Sequence, residues 1–213
     1  MRHAAAQARP EARARRLGLA APLRRGEIPG IRPDRRPYAT IALVVVPVIV
    51  SLLWRAGVSR VGDLVLIDPL GGDWWRPITT QFVYDSTGYE VAALAAVALF
   101  GTLLERRPPA VAPLAVFLIG GTAGMAVVSA VQPDLALGGN AGALALLAAW
   151  AMRDVLGRRR GIEDESDLLG VLAIAALLVL LPLATEDAHA LAGLGGALAG
   201  IVMGLALARL PER

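Results

Sequence analysis

The sequence predicts an all-α integral membrane protein, a bundle of six transmembrane helices with a long first loop. Of its 213 residues, 56% are hydrophobic and only 18% are charged, and the mean hydropathy is +0.58. The charges lie in a few short stretches, whereas a soluble domain of this size carries them over a mixed surface. Six buried helices in so small a soluble chain would leave almost no polar face, so membrane insertion is the better interpretation.

Six apolar segments follow one another along the chain, each bounded by charge or proline. Crossing some 30 Å of hydrocarbon takes roughly 20 apolar residues at about 1.5 Å each. The third segment is long enough outright, and the others are marginal to adequate. The second carries Tyr84, Asp85 and Glu90 in its outer part, so we expect it to start in a wet recess. The predicted spans are Ala39–Trp54, Thr79–Leu104, Pro109–Val131, Leu135–Met152, Leu168–Thr185 and Ala190–Ala208.

The first 37 residues differ in composition from the rest and are predicted to be a disordered tail, with the membrane domain at 38–213. Ten arginines and five prolines fall in this stretch, and little in it could form a core. A transit peptide would also be rich in arginine and poor in acidic residues. Against that alternative, the tail has no serine and contains Glu11, Glu27 and Asp34.

The distribution of arginine predicts the orientation. The tail, the turn at 105–107, the loop at 153–167 and the chain end at Arg209 carry positive charge, whereas the loops at 132–134 and 186–187 carry none. The positive-inside rule then places both termini in the cytoplasm. The same distribution accounts for the sequence pI of about 10.1 without nucleic acid, so the expected partner is the lipid bilayer. Basic residues that are all arginine, together with short loops, suggest a bacterial inner membrane.

The chain has no cysteine, which excludes disulfides, thiol nucleophiles and thiolate metal sites. Its only histidines are His3 and His189, and these with scattered carboxylates do not supply three or four convergent ligands. We therefore expect no metal and no cofactor.

Several short motifs, in order and suitably spaced, resemble the signature of the rhomboid intramembrane proteases. That family has a Trp-Arg pair in the first loop, a Thr/Ser-x-x-Phe start to the second span, and a glycine and glutamate at the end of that span. It also has G-x-S-G at the fourth span and two glycines, four apart, in the sixth. The matching residues are Trp75-Arg76, Thr79 with Phe82, Gly101 with Glu105, Gly138-Gly139-Asn140-Ala141-Gly142, and Gly196 with Gly200. The resemblance covers roughly residues 38–209 and implies the six-helix rhomboid fold.

The resemblance also implies catalytic groups that this chain lacks. The rhomboid nucleophile is the serine of G-x-S-G, and a histidine in the sixth span is the base that its hydroxyl needs. Those positions correspond here to Ala141 and Gly193. The family's oxyanion-stabilising histidine and asparagine correspond to Tyr89 and Ala93, and a further histidine corresponds to Tyr84. These replacements imply a catalytically inactive member.

Inactive rhomboids and the related derlins bind transmembrane clients, so the resemblance implies a non-enzymatic binding protein. The expected client contacts are Trp75, Arg76, Tyr84, Tyr89 and Asn140. For Asn140, capping its own helix is the simpler interpretation. Small residues in the fourth and sixth spans are expected to serve close helix packing, in the sets Gly138 with Gly142, and Ala192, Gly196, Gly200 and Gly204. The sequence leaves the oligomeric state and the client open.

An active rhomboid-type serine endopeptidase with a rearranged site is the alternative function. His189 lies one turn before Gly193 and would be the relocated base. No serine lies near the G-x-S-G position, because the serines are Ser51, Ser59, Ser86, Ser129 and Ser166. A lone histidine beside two acidic residues at a span's end is more often a solvated cap, which is what we expect here. A small-solute transporter would need internal repeats, and none is convincing.

Overall fold

The computed structural model describes residues 36–58, 65, 74–131, 136–160 and 168–210. These residues form helices and connecting segments, with no β-strand among them. A short 3₁₀ turn, Thr80–Phe82, follows the second helix. The helices are α1 (Tyr38–Arg55), α2 (Arg76–Thr79), α3 (Thr87–Glu105), α4 (Ala112–Val131), α5 (Asn140–Arg159), α6 (Leu168–Ala184) and α7 (Ala190–Ala208). The predicted tail lies, but for its last two residues, outside the described part of the chain.

Each predicted apolar segment contains a long helix, and four of these helices are long and apolar enough to cross a membrane: α1, α3, α4 and α7. Helix α6 is apolar throughout but has only 17 residues. Helix α5 has 20 residues, with charged Arg153, Asp154, Arg158 and Arg159 in its last two turns. The count of six spans therefore does not follow from length and composition alone, although the chain is plainly an integral membrane protein.

The prediction of one continuous second span over Thr79–Leu104 is wrong. Pro77 starts the short helix α2, which passes into the 3₁₀ turn, and Val83 is extended (φ −109°, ψ 127°). A new helix, α3, begins after Ser86, whose hydroxyl accepts a hydrogen bond from the Tyr89 N–H at 3.5 Å. Because a serine N-cap offers its oxygen to the first turn, it defines a helix start that hydropathy does not detect.

The C-terminal end of α3 holds the N-terminal end of α1. The Glu105 carboxylate accepts hydrogen bonds from the N–H groups of Ala39 (3.0 Å) and Thr40 (2.8 Å) and from the Thr40 hydroxyl (2.8 Å). Close approach is possible because Gly101, one turn earlier, has no side chain: a Cβ there would lie 2.9 Å from the Thr40 side chain. A carboxylate at a helix N-terminus also interacts favourably with the helix dipole.

The closest contacts between helices are those among α4, α5 and α7, which approach through small residues as predicted for α7. Gly196 and Gly200 face the backbone of Ala141 and Ala145, and an added Cβ at either position would collide with a carbonyl oxygen. Gly204 continues the row against Ala149. Such contacts give dispersion energy where lipid offers no hydrophobic drive between helices.

The prediction that Gly138 shares a helical face with Gly142 is wrong, because Gly138 precedes α5. It has φ +77°, a conformation that favours glycine, and a Cβ there would lie 2.6 Å from the Tyr89 ring. Gly142 does pack closely, against Phe117 of α4.

Apolar side chains cover the outside of the bundle. In α6, only Leu178 and Leu181 are buried among the residues whose side chains are described. In α1, residues such as Ile49 and Leu52 are about half exposed. A surface this apolar requires lipid rather than water around it.

Candidate functional site

Two tyrosines, one just before α3 and one in its first turn, bind the backbone that leads into α5. The Tyr84 hydroxyl accepts a hydrogen bond from the Gly139 N–H at 2.9 Å. The Tyr89 hydroxyl donates to the Leu137 carbonyl at 2.9 Å and accepts from the Asn140 N–H at 3.3 Å. The rings meet edge to face with centroids 5.1 Å apart, and both are buried. Two of the four N–H groups that a helix N-terminus leaves unpaired are thereby satisfied.

The segment before α5 is also held from two other sides. Thr80 donates its hydroxyl to the Ala136 carbonyl at 2.9 Å and accepts the Gly138 N–H through its own carbonyl at 3.0 Å. From the α6–α7 turn, the Asp187 carbonyl accepts the Leu137 N–H at 3.0 Å. Burial raises the pKa of the Tyr84 phenol, which precedes α3, so this hydroxyl stays protonated and its bond to Gly139 does not titrate at physiological pH.

Trp75 lies at the surface and Arg76 beside it is half-buried, and both are apart from the buried pair of tyrosines. Trp75 is 42% exposed and packs edge to face against Trp74 at 6.1 Å. An Arg76 Nη1 donates to the Val65 carbonyl at 3.3 Å. Val65 packs with Val83 and Leu137 in one small apolar cluster, and Leu137 is the residue whose carbonyl Tyr89 binds. Arg76 is thus connected to the Tyr89 hydrogen bond through Val65 and Leu137, which pack against one another.

Asn140 differs from its predicted role as a helix cap. The N-cap of α5 is Gly139, and Asn140 is the first helical residue, with no side-chain capping bond. Its carboxamide is buried, at 3% exposure, and neither Oδ1 nor Nδ2 has a hydrogen-bond partner within the part of the chain that the structure describes. A residue with helical φ and ψ directs its side chain away from the N–H groups that an N-cap would serve.

The predicted client residues therefore separate into two groups. One group is buried at the start of α5 and consists of Tyr84, Tyr89 and Asn140. The other group lies nearer the surface at the same end and consists of Trp75 and Arg76.

A model of the rhomboid domain matches residues 71–210, which is well over half of the chain and includes every one of these positions. The chain belongs to the rhomboid family. No curated protein matches it.

The two residues that the sequence predicts at the catalytic positions of the rhomboid family are close to Asn140. A Cβ built on Gly193, a first-turn residue of α7, would lie 3.6 Å from Asn140 Nδ2 and 2.9 Å from Leu144 Cδ1. Ala141 follows Asn140 in the chain, is fully buried, and packs with Met125 and Ala192. The atoms that meet at this place are thus methyl groups, backbone and one carboxamide.

The prediction that His189 is a cap is confirmed. His189 is the N-cap of α7, and its Nδ1 accepts a hydrogen bond from the Leu191 N–H at 3.2 Å. That bond occupies the lone pair with which Nδ1 would act as a base.

Sequence reasoning missed Gln81, which joins the first loop of this rhomboid to α4. Its fully buried side chain donates through Nε2 to the Pro77 carbonyl (2.9 Å) and the Thr122 hydroxyl (3.1 Å). Gly121 makes room for it, since a Cβ there would collide with Gln81 Oε1. The only signal was a polar residue within the Thr-x-x-Phe stretch.

Proposed function

We propose that this rhomboid is not a protease but a membrane protein that binds transmembrane segments of client proteins. One observation carries the proposal: Ala141 and Gly193, which we predict to stand at the positions of the family's nucleophile and base, bring no functional group, and the side chains beside them are Asn140 and Leu144. A methyl group and a hydrogen atom have no lone pair with which to attack a carbonyl or accept a proton.

The binding role is supported by polar groups that are buried within a membrane protein. The Tyr84 and Tyr89 hydroxyls bond the backbone before α5, and beside them the Asn140 carboxamide carries hydrogen-bonding atoms that no described residue pairs. Backbone groups that lose their partners in lipid cost several kcal/mol, so a client segment that unwinds locally needs such atoms. Trp75 and Arg76, at the surface of the same end, are suited to contact the interfacial part of that client.

The first experiment tests the absence of proteolysis. Purified protein in lipid nanodiscs is treated with a fluorophosphonate probe and with generic rhomboid substrates, and neither labelling nor cleavage is expected. Ala141→Ser restores only a hydroxyl, and the double variant with Gly193→His still lacks the oxyanion donors, whose loss costs about 3–4 kcal/mol in other enzymes. Cleavage by the unmodified protein that disappears in Ser129→Ala or His189→Ala would favour the rearranged protease instead.

The second experiment tests client binding directly. A photo-crosslinking amino acid replaces Thr87, which is exposed at the start of α3, and in a control protein replaces Val111, which is 63% exposed near the start of α4. Adducts with membrane proteins are expected from Thr87 and not from Val111. Equal adducts from both positions would mean random collision in the bilayer and would overturn the proposal.

The arginine pattern further supports six spans, cytoplasmic termini and an inner-membrane location, with the first 37 residues as a cytoplasmic tail. Because the chain has no cysteine, single cysteines can be introduced on a clean background. Those at Ser86, Gln132 and Asp187 are expected to react with an impermeant thiol reagent in intact cells. Those at Arg107 and Glu163 are expected to react only after permeabilisation, and labelling of Glu163 from outside would reverse the orientation.

A further inference from the structure

The Asn140 carboxamide is the least satisfied buried polar group in the described part of the chain. Both Oδ1 and Nδ2 lack a partner, whereas Ser51 and Gln81 each leave a single oxygen unpaired. Only 3% of Asn140 is exposed. A buried donor or acceptor that stays unpaired bears its full desolvation cost, so in the unbound protein this side chain opposes folding.

Neither helix capping nor packing explains why asparagine is at this position. Gly139 is the N-cap of α5, and the Asn140 N–H, not its side chain, makes the bond to Tyr89. Leucine branches at Cγ as asparagine does and carries no polar atoms that need a partner. A group that costs stability and serves no internal bond is the kind of feature found at functional sites.

We infer that the Asn140 carboxamide binds the backbone of one client residue in an extended conformation, an inference that rests on the proposed client-binding function. A carboxamide offers an acceptor and a donor side by side in one plane. The C=O and N–H of one trans peptide group point in opposite directions, whereas the N–H and C=O of one extended residue lie on the same edge of the chain. Asn140 Nδ2 donates to the carbonyl of that residue, and Oδ1 accepts its N–H. A phosphate or a carboxylate has only acceptors and would leave Oδ1 unpaired, so an extended backbone segment is the better match.

The surroundings of the carboxamide favour this ligand. Asn140 begins α5, so the positive end of the helix dipole lies beside a bound carbonyl oxygen. On the side of α7 the carboxamide lies near Gly193, which brings no side chain: a Cβ there would be 3.6 Å from Nδ2. Leu144, one turn further along α5, comes close to the same glycine with an apolar side chain, since a Cβ there would be 2.9 Å from its Cδ1.

The test compares the full-length protein with Asn140→Leu, which keeps the branching at Cγ and removes both polar atoms. The control is Ser51→Ala, which removes another buried unpaired oxygen, on α1. The probes are two synthetic transmembrane peptides of about 23 residues built from leucine and alanine. Each carries one photoreactive group, and one has a central proline, which interrupts the helical hydrogen bonds and favours an extended residue before it. Capture in nanodiscs and the melting temperature without peptide are measured.

Asn140→Leu is expected to raise the melting temperature by about 2–6 °C and to reduce capture of the proline peptide about tenfold. Capture of the proline-free peptide is expected to be weak in both proteins, and Ser51→Ala is expected to capture both as wild type does. If wild type captures neither peptide, both the proposed function and this inference fail. If wild type captures the proline peptide and Asn140→Leu does so equally, only the inference fails.

Discussion

Each end of the bundle has a buried polar side chain, and the two side chains differ in whether they are hydrogen-bonded. At one end Glu105 accepts three hydrogen bonds, two of them from backbone N–H groups of α1. At the other end the Asn140 carboxamide neither accepts nor donates a hydrogen bond within the described residues. Both side chains are 3% exposed, so burial does not distinguish them. What differs is whether the neighbouring helix brings complementary groups.

This difference distinguishes a structural contact between two helices from a candidate binding site. The Glu105 end is complete in itself, because the carboxylate and the start of α1 satisfy one another. At the Asn140 end the tyrosines satisfy the backbone of the segment before α5 but leave the carboxamide unpaired. A fold generally keeps an unsatisfied group where it does something besides hold the fold together. The following predictions test the contrast from the largest expected effect to the smallest.

Removing the carboxylate at the complete end should have the largest effect. Glu105→Ala leaves the N–H groups of Ala39 and Thr40 buried without an acceptor, and should lower the free energy of unfolding by about 2–5 kcal/mol. Glu105→Gln retains one acceptor oxygen and should lose about half as much. Denaturant titration in detergent micelles measures both. A loss below about 1 kcal/mol for Glu105→Ala would show that α1 is not held through this carboxylate.

Helix packing between the two ends should show the next largest effect. A Cβ at Gly124 of α4 would collide with the Ala192 carbonyl of α7, and backbone cannot move aside cheaply. Gly124→Ala should therefore cost about 1–3 kcal/mol in unfolding free energy. The matched control is Gly157→Ala in α5, where a Cβ meets nothing within 4 Å. That variant should be more stable than wild type by about 0.5–1 kcal/mol, because alanine favours a helix over glycine. Equal effects at the two positions would contradict the close α4–α7 contact.

The hydropathy of the sequence was sufficient to predict the long helices. Each of them is encoded by a local run of apolar residues, and a bilayer requires such a run to be helical. Hydropathy did not detect the break at 83–86, because Tyr84 and Asp85 were interpreted as polar residues in the outer part of one span. The Glu105 motif was recognisable, but its partners lie 65 and 66 positions earlier in the chain. Asn140 was expected to cap because a one-residue error in the helix start converts an N-cap into a first-turn residue. The tyrosine bonds to residues 137–140 are long-range contacts that a single sequence does not encode in any visible pattern.

The tyrosine bonds should show a smaller effect than the packing. Tyr89→Phe keeps the ring against Gly138 but leaves the Leu137 carbonyl and the Asn140 N–H without their shared partner. The expected loss of unfolding free energy is about 1–2 kcal/mol. Tyr38→Phe is the matched control, since Tyr38 is 66% exposed and its hydroxyl is free to meet solvent or headgroups. If both variants unfold like wild type, the network around the start of α5 contributes nothing measurable to stability.

The smallest effect is expected at the start of α7, where His189 is a cap and not a base. His189→Ala removes the acceptor for the Leu191 N–H and should cost about 0.5–1 kcal/mol of unfolding free energy, the usual range for losing a helix cap. His189→Asn offers an acceptor at a similar position and should recover most of the loss, because asparagine is among the best N-cap residues. Thermal unfolding of the three proteins in nanodiscs gives the comparison, and capture of membrane clients from Thr87 should be the same in all of them. Loss of capture in His189→Asn, with stability intact, would mean that the imidazole itself contacts the client. The binding site would then have to include the start of α7 as well as the start of α5.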